Sequence, residues 1–288
     1  MNDTEKGYLL LIIYSFLSGF VGIIVKLIKG IDTYSIAFLR AMIAASFILI
    51  FLLFRKKLSE LRIVSPLNTI LMGIFEGISV ILYFLAVMMT NVSNALFLVF
   101  TAPIFSAIFA RIFLKEKIGK NTVIGIGVVM VGIAIMLDPR TFSISSKDTL
   151  GSILALLSGI FYAAMAVAAK PLMKKVSGYY STFWEYVVIS LMFVLFFKPS
   201  QSGAIFANWI QLLVLGVICS GMAVILFMEG VKRVPAQKVF IITSLEPVIG
   251  TIFAAIILKE NPSSFVLVGG AIIIAGIYLT TRKSKATK

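Results

Sequence analysis

Four ionisable side chains, Arg40, Glu76, Glu185 and Glu246, stand inside long apolar runs. If those runs cross a bilayer, holding a charge at the centre costs at least about 2.5–3.5 kcal/mol, so such groups mark a transport path or an internal pair. Glu76 sits in Gly73-Ile74-Phe75-Glu76-Gly77-Ile78-Ser79, with Val80 and Tyr83 following at helical spacing. Small residues beside a carboxyl let another helix or a ligand approach. Glu76 therefore reads as a protonatable carboxylate that takes a cationic group or carries a coupling proton, or as a paired carboxyl that only holds helices together. Glu246 precedes Pro247, whose ring removes a backbone donor and disfavours helix at the residue before it. Such a break is tolerated in lipid where protein or a wet cavity surrounds it. Glu246 is thus a cavity or gate residue, the alternative being a packing role, and Pro247 and its counterpart Pro103 read as hinges. Arg40 suits bidentate contact with a carboxylate. Its alternatives are an internal ion pair or a reach to the interface. Glu185 occupies nearly the same place in the second half of the chain, and the two are not expected to pair directly.

Hydroxyls and aromatics complete the candidate site. Tyr14 and Ser18 are one helical turn apart, as are Ser158 and Tyr162. Two walls of one cavity would show this pattern. With Tyr83 and Trp184 they can enclose a cationic or amphipathic ligand by cation–π contact. Packing is the alternative for each, and an interfacial belt is the alternative for Trp184. The chain has no His and a single Cys, Cys219, so neither a metal site, a bound cofactor nor a disulfide is expected. Dispersed acids without His also argue against an enzyme.

The elements that hold these residues follow from composition. With 60% hydrophobic and 13% charged residues and a mean hydropathy of +1.08, the chain lies far from the make-up of soluble domains. A net charge of +14 is carried by short clusters between apolar runs, which is no nucleic-acid-binding face. A span needs roughly 20 residues. Ten are read, at 7–28, 33–54, 66–89, 93–114, 119–137, 150–170, 180–197, 208–229, 237–258 and 264–280.

A shift of 144 residues, half of the 288, lays the second half on the first. It pairs Pro103 with Pro247, Phe109 with Phe253, Leu114-Lys115-Glu116 with Leu258-Lys259-Glu260, Gly125 with Gly269, Gly132 with Gly276, Gly7 with Gly151 and Lys26 with Lys170. Each copy is one structural unit used twice. The repeats are 1–138 and 150–288, with the polar stretch 139–149 as linker. Five spans is an odd number, so the copies cross the membrane in opposite senses. The fold class is an all-α membrane protein of ten transmembrane helices in two inverted five-helix repeats. Inverted repeats of this kind are the mark of secondary transporters, with a site between the halves. The expected crevice is lined by spans 1, 3, 4, 6, 8 and 9.

Lys and Arg in the short loops favour one face by about three to one, with both termini on it. That face is expected to be cytoplasmic, in a multi-pass protein of the cell membrane. Glu229 is read as a helix-end ion pair with Lys232 or Arg233. Lys26, Lys170 and Arg111 are read as span-end residues whose long side chains reach the interface. The Gly125/Gly132 and Gly269/Gly276 pairs are close helix contacts, either internal or between subunits.

The runs Tyr83-Phe84-Leu85-Ala86, Ala102-Pro103 and Leu114-Lys115-Glu116 carry a resemblance, as do their second copies Arg233-Val234-Pro235-Ala236, Leu245-Glu246-Pro247 and Leu258-Lys259-Glu260. They resemble the doubled EamA domain of the drug/metabolite transporter superfamily. The resemblance implies a ten-helix carrier of small metabolites, commonly an exporter of amino acids or toxic compounds, with its cavity between the halves. The first copy departs from the pattern, having Thr101-Ala102-Pro103 where the second has Leu245-Glu246-Pro247.

The expected function is alternating-access transport of small organic metabolites, amino acids or drug-like cations, in the export direction, with protons as a possible coupling ion. Proton-coupled uptake of a quaternary ammonium compound is the alternative within transport. A scaffold or subunit without a wet cavity is the alternative of another class. No nucleotide-binding motif of the GxxxxGK[ST] form is present.

Overall fold

The computed structural model describes residues 2–90, 92–136, 146–257 and 264–281. In lipid a backbone must satisfy its own polar groups, and these residues do so as helix with no strand among them. Span 1 is α1 (Asp3–Ser18) and α2 (Val21–Leu27); α3 (Thr33–Phe54) and α4 (Pro66–Met89) are spans 2 and 3. Span 4 is α5 (Val92–Val99) and α6 (Ala102–Phe113), followed by α7 (Lys120–Met136). The second half opens with α8 (Ser146–Met173) and α9 (Gly178–Phe193). Two short helices, α10 (Ser202–Ala207) and α11 (Trp209–Leu213), lead into a π-helical stretch, Val214–Met222, and α12 (Ala223–Arg233). Span 9 is α13 (Ala236–Thr243) with α14 (Leu245–Ile257), and α15 (Ser264–Thr281) is last.

Among the described residues nine helices are long and apolar enough to cross a membrane, and α7, with 17 residues, is apolar but shorter. Span 1 begins earlier than its apolar run because Asn2 and Glu5 form a reciprocal capping box: Glu5 N donates to Asn2 Oδ1 at 2.8 Å and Asn2 N to Glu5 Oε2 at 3.0 Å. Most of the expected linker lies outside the described residues, and its last residues, from Ser146, already belong to α8.

The main helix contacts cross between repeats. Span 1 packs on span 8 and span 3 on span 6, while span 2 packs on span 7 and span 5 on span 10. Moving every span by five converts this set into itself, as two inverted copies around an in-plane axis require. The seam between α7 and α15 is set by glycine. A Cβ on Gly132 would lie 2.8 Å from the Gly269 carbonyl oxygen, and one on Gly276 would lie 2.7 Å from Val129 Cγ2. The glycine pairs are therefore internal contacts. Outward faces carry exposed apolar side chains such as Phe54, Leu195 and Phe206, as a lipid-facing surface would.

Candidate functional site

Among the described residues four spans are interrupted: at Gly19-Phe20, at Phe100-Thr101 ahead of Pro103, in the π-helical stretch, and at Ser244 ahead of Pro247. Between them lies a cavity of about 350 Å³. Its walls come from spans 1, 3, 4, 6, 8 and 9, with Arg40 contributed by span 2. Along span 1 the lining runs from Tyr14 to Lys26, whereas the first turns pack against α12. The cavity therefore starts mid-bundle and opens on the face opposite the N-terminus.

Arg40 is buried, 7% exposed. Its Nε donates to Ser220 Oγ at 2.5 Å and its Nη2 to Tyr186 OH at 3.2 Å. The guanidinium carbon sits 5.8 Å from the Tyr186 ring centroid and 6.0 Å from that of Phe84. The π-helical stretch aims Ser220 at it, since Ser220 Oγ also donates to the Leu215 carbonyl five residues back, at 2.7 Å. Among the described residues no carboxylate oxygen lies within 4 Å of this guanidinium, so Arg40 is anchored through neutral hydroxyls and keeps its charge for the cavity. Glu76 and Glu246 line the same space, and Glu76 Oε2 and Glu246 Oε1 have no hydrogen-bond partner among the described residues. The glycines beside Glu76 admit a helix rather than a ligand: Cβ atoms on Gly73 and Gly77 would meet Val188 and Met192 of α9.

The floor toward the N-terminal face is aromatic. Tyr14 OH and Tyr162 OH are 2.6 Å apart. Tyr14 packs on Phe227 at 4.8 Å between centroids, and Tyr162 on Phe240 at 4.6 Å. Ser158 turns to span 3, its Oγ donating to the Ser79 carbonyl at 2.8 Å while Ser79 Oγ donates to the Ser158 carbonyl at 3.1 Å. The two tyrosine–serine walls are thus joined at the tyrosines. Ser18 and Tyr83 line the cavity above them.

Trp184 does not reach the cavity. Its Nε1 donates to the Leu61 carbonyl at 3.0 Å, beside the loop that joins spans 2 and 3. Glu185 is fully buried and also outside the lining, with both carboxyl oxygens lacking partners among the described residues. It does not pair with Arg40, whose partner is the adjacent Tyr186. Pro103 lies in the first turn of α6 and Pro247 in that of α14, so each break comes just before its proline. Ser79, Tyr186 and Ser220 carry no site role in the sequence reading, and Cys219 enters it only as a lone thiol. Ser220 carried a signal: the 144-residue shift puts it on Glu76.

The N-terminal face is closed by a polar lattice. Arg233 pairs with Asp3 at 3.2 Å and with Glu229. Glu229 also accepts from the Gly178 amide at 2.7 Å, and Glu116 from the Ala236 amide at 3.3 Å. Lys170 does not extend to an interface. Its Nζ donates to the Val231 carbonyl at 2.5 Å and to that of Val234.

A cavity walled by interrupted helices from both inverted repeats, and shut on one face, is the arrangement of a membrane transporter rather than an enzyme. Residues 5–138 and 149–282 each match the EamA-like transporter family, and the chain belongs to it. An uncharacterized transporter of Archaeoglobus fulgidus is 27% identical over 279 residues, covering 96% of this chain and 97% of its own. The pseudopaline exporter CntI of Pseudomonas aeruginosa is 25% identical over 287 residues, covering 98% of both chains. A crystal structure of a protein 17% identical to this one superposes with a TM-score of 0.79 over 96% of each chain, a likeness of fold.

Proposed function

We propose that this chain is a secondary carrier that exports small amine-bearing metabolites, amino acids or related compounds and drug-like cations, across the cytoplasmic membrane by alternating access. The observation that carries this reading is the charge arrangement in one cavity shared by both repeats: two carboxyl groups with unpartnered oxygens, and one guanidinium held by hydroxyls. Glu76 and Glu246 suit an ammonium group and Arg40 a carboxylate. The tyrosines enclose the apolar part. A non-transporting scaffold has no need of such a space. The Lys and Arg distribution supports cytoplasmic termini, which makes the observed cavity outward-facing. A relative named as an exporter supports the direction. The two repeats, 1–138 and 150–288, move about the breaks at Pro103 and Pro247, and protons couple through Glu76.

Reconstitution in liposomes with an imposed pH gradient tests the reading. Zwitterionic and cationic amines should move and anions lacking an amine should not. Failure of every amine in a broad panel to move in either direction would end the carrier reading. The ring of Tyr14, Tyr83 and Tyr162 beside two acids favours one second reading, proton-coupled uptake of a quaternary ammonium ion. Its signature is inward movement of permanent cations alone.

A further inference from the structure

Lys26 and Lys170 are equivalent under the 144-residue shift, yet they do different things. Lys170, at the end of span 6, donates to the carbonyls of Val231 and Val234 where α12 ends and its last carbonyls lack helical partners. A cation there is favoured both as a donor and by the helix dipole. The contact sits within the closed N-terminal face. Lys26, at the end of span 1, is exposed at the cavity mouth and makes no hydrogen bond or ion pair among the described residues.

The acceptors that would match Lys26 already exist. The shift carries Val231 and Val234 onto Val87 and Thr90, where span 3 ends. Both helices finish alike: Thr90 N donates to Ala86 O at 2.8 Å and Val234 N to Gly230 O at 2.9 Å, and both cap residues are extended. Their surroundings match as well. A Cβ on Gly7 would meet Val234 and Arg233, and one on the equivalent Gly151 would meet Thr90 and Met89. The Thr90 hydroxyl is buried and has no hydrogen-bond partner among the described residues. One difference remains. Span 6 packs against α12, whereas span 1 does not pack along span 3, and Lys26 lines the cavity at that end of span 1.

We propose that Lys26 and Lys170 are the two positioning residues of one reciprocal latch. In the state described, Lys170 holds the N-terminal face shut and Lys26 is free. In the opposite-facing state Lys26 donates to the carbonyls of Val87 and Thr90, closing the distal mouth, and Lys170 lets go of α12. The latch rests on the alternating-access reading.

The test uses the full chain with Cys219→Ala and a reporter Val80→Cys in the cavity wall, in right-side-out and inside-out vesicles. A membrane-impermeant maleimide reads accessibility from each face. Lys170→Met should shift the ratio of distal to N-terminal labelling at least about tenfold toward the N-terminal face, the scale of one hydrogen bond to a charged group. Lys26→Met should shift it in the opposite direction, and the double variant should return close to the parent ratio. Lys26 is exposed, so its substitution leaves folding intact and keeps the test decisive if Lys170→Met is poorly produced. Labelling from both faces in the parent, with neither lysine variant changing the ratio or both changing it alike, overturns the latch alone. Labelling from one face only, in the parent and in every variant, overturns the latch together with the carrier reading.

Discussion

The phenolic oxygens of Tyr14 and Tyr162 lie 2.6 Å apart, joining the first span of one repeat to the first span of the other across the floor of the cavity. Both rings are buried against Phe227 and Phe240, and both line the cavity. Replacing either tyrosine by Phe breaks this one bond, which costs about 0.5–1.5 kcal/mol, and removing both hydroxyls costs less than the sum of the two single losses because the same bond is lost in each. Thermal unfolding in detergent of the two single variants and of Tyr14→Phe/Tyr162→Phe measures this. Losses that simply add would show that the two groups do not act as a pair.

Glu76→Gln keeps the shape of a buried side chain and removes its charge and its proton. Flux should be abolished, or should lose its dependence on the proton gradient, while the protein is still produced and inserted. Parent-like flux at every pH from mildly acidic to mildly basic would remove Glu76 from the coupling role.

Arg40 is tested separately, because its two bonds to Ser220 and Tyr186 use the planar fork of the guanidinium. Arg40→Ala should weaken transport of zwitterions more than that of simple cations and should lower the melting temperature. Arg40→Lys should recover little of the zwitterion flux, since an ammonium cannot satisfy both hydroxyls and still face the cavity. Competition assays with paired substrates that differ by one carboxylate decide the matter.

The repeat shift and the apolar runs made the helical layout legible, because burial in lipid demands long uninterrupted apolar helix and leaves that mark in composition. The interruptions were only half legible. Pro103 and Pro247 announce their breaks, but nothing in hydropathy distinguishes an α-helical from a π-helical turn, so the placement of Ser220 beside Arg40 is a matter of backbone geometry. Spans ran past their apolar runs where a cap did the work, as at Asn2. Trp184 and Glu185 show the limit of reasoning by depth. Trp184 binds the Leu61 carbonyl outside the cavity, and Glu185, one residue from Tyr186, is rotated off the face that meets Arg40. Lys170 had the sequence of a span-end lysine, and only the three-dimensional proximity of α12 turned it into a cap.

The α7–α15 seam makes a prediction about stability without touching the cavity. At Gly132 a built Cβ would meet Ile273 Cγ1 at 2.8 Å and two backbone atoms, the Gly269 carbonyl oxygen at 2.8 Å and the Ile273 amide nitrogen at 2.9 Å. The two backbone atoms cannot rotate away as the Ile273 side chain could. Gly132→Ala should therefore cost about 1–3 kcal/mol by forcing the helices apart. Gly127→Ala on the same helix, where a Cβ would meet nothing within 4 Å, should cost nothing or stabilise slightly by helix propensity. Melting of the two variants side by side is the comparison, and equal behaviour would contradict the seam.

Asp32 gives a pH dependence whose sign can be worked out. It caps α3, accepting from the Tyr34 amide at 3.1 Å and the Ser35 amide at 3.2 Å on Oδ1, and from Ser35 Oγ at 2.7 Å on Oδ2. Partial burial pushes its carboxyl up, but the Ser35 hydroxyl and amide, with Lys198 nearby, outweigh burial and hold it below the ordinary value of 3.8. A group depressed in the folded state contributes stability that is present above its ordinary value and is lost as pH falls through the folded one. The parent should lose melting temperature as pH drops below about 4 in excess of Asp32→Asn, which keeps an acceptor for the cap but has no charge to lose. At neutral pH Asp32→Ala should be less stable than Asp32→Asn by about 1 kcal/mol, the usual worth of a helix cap. Parallel melting curves for the parent and Asp32→Asn across the acid range would mean that the Asp32 charge adds nothing to the cap.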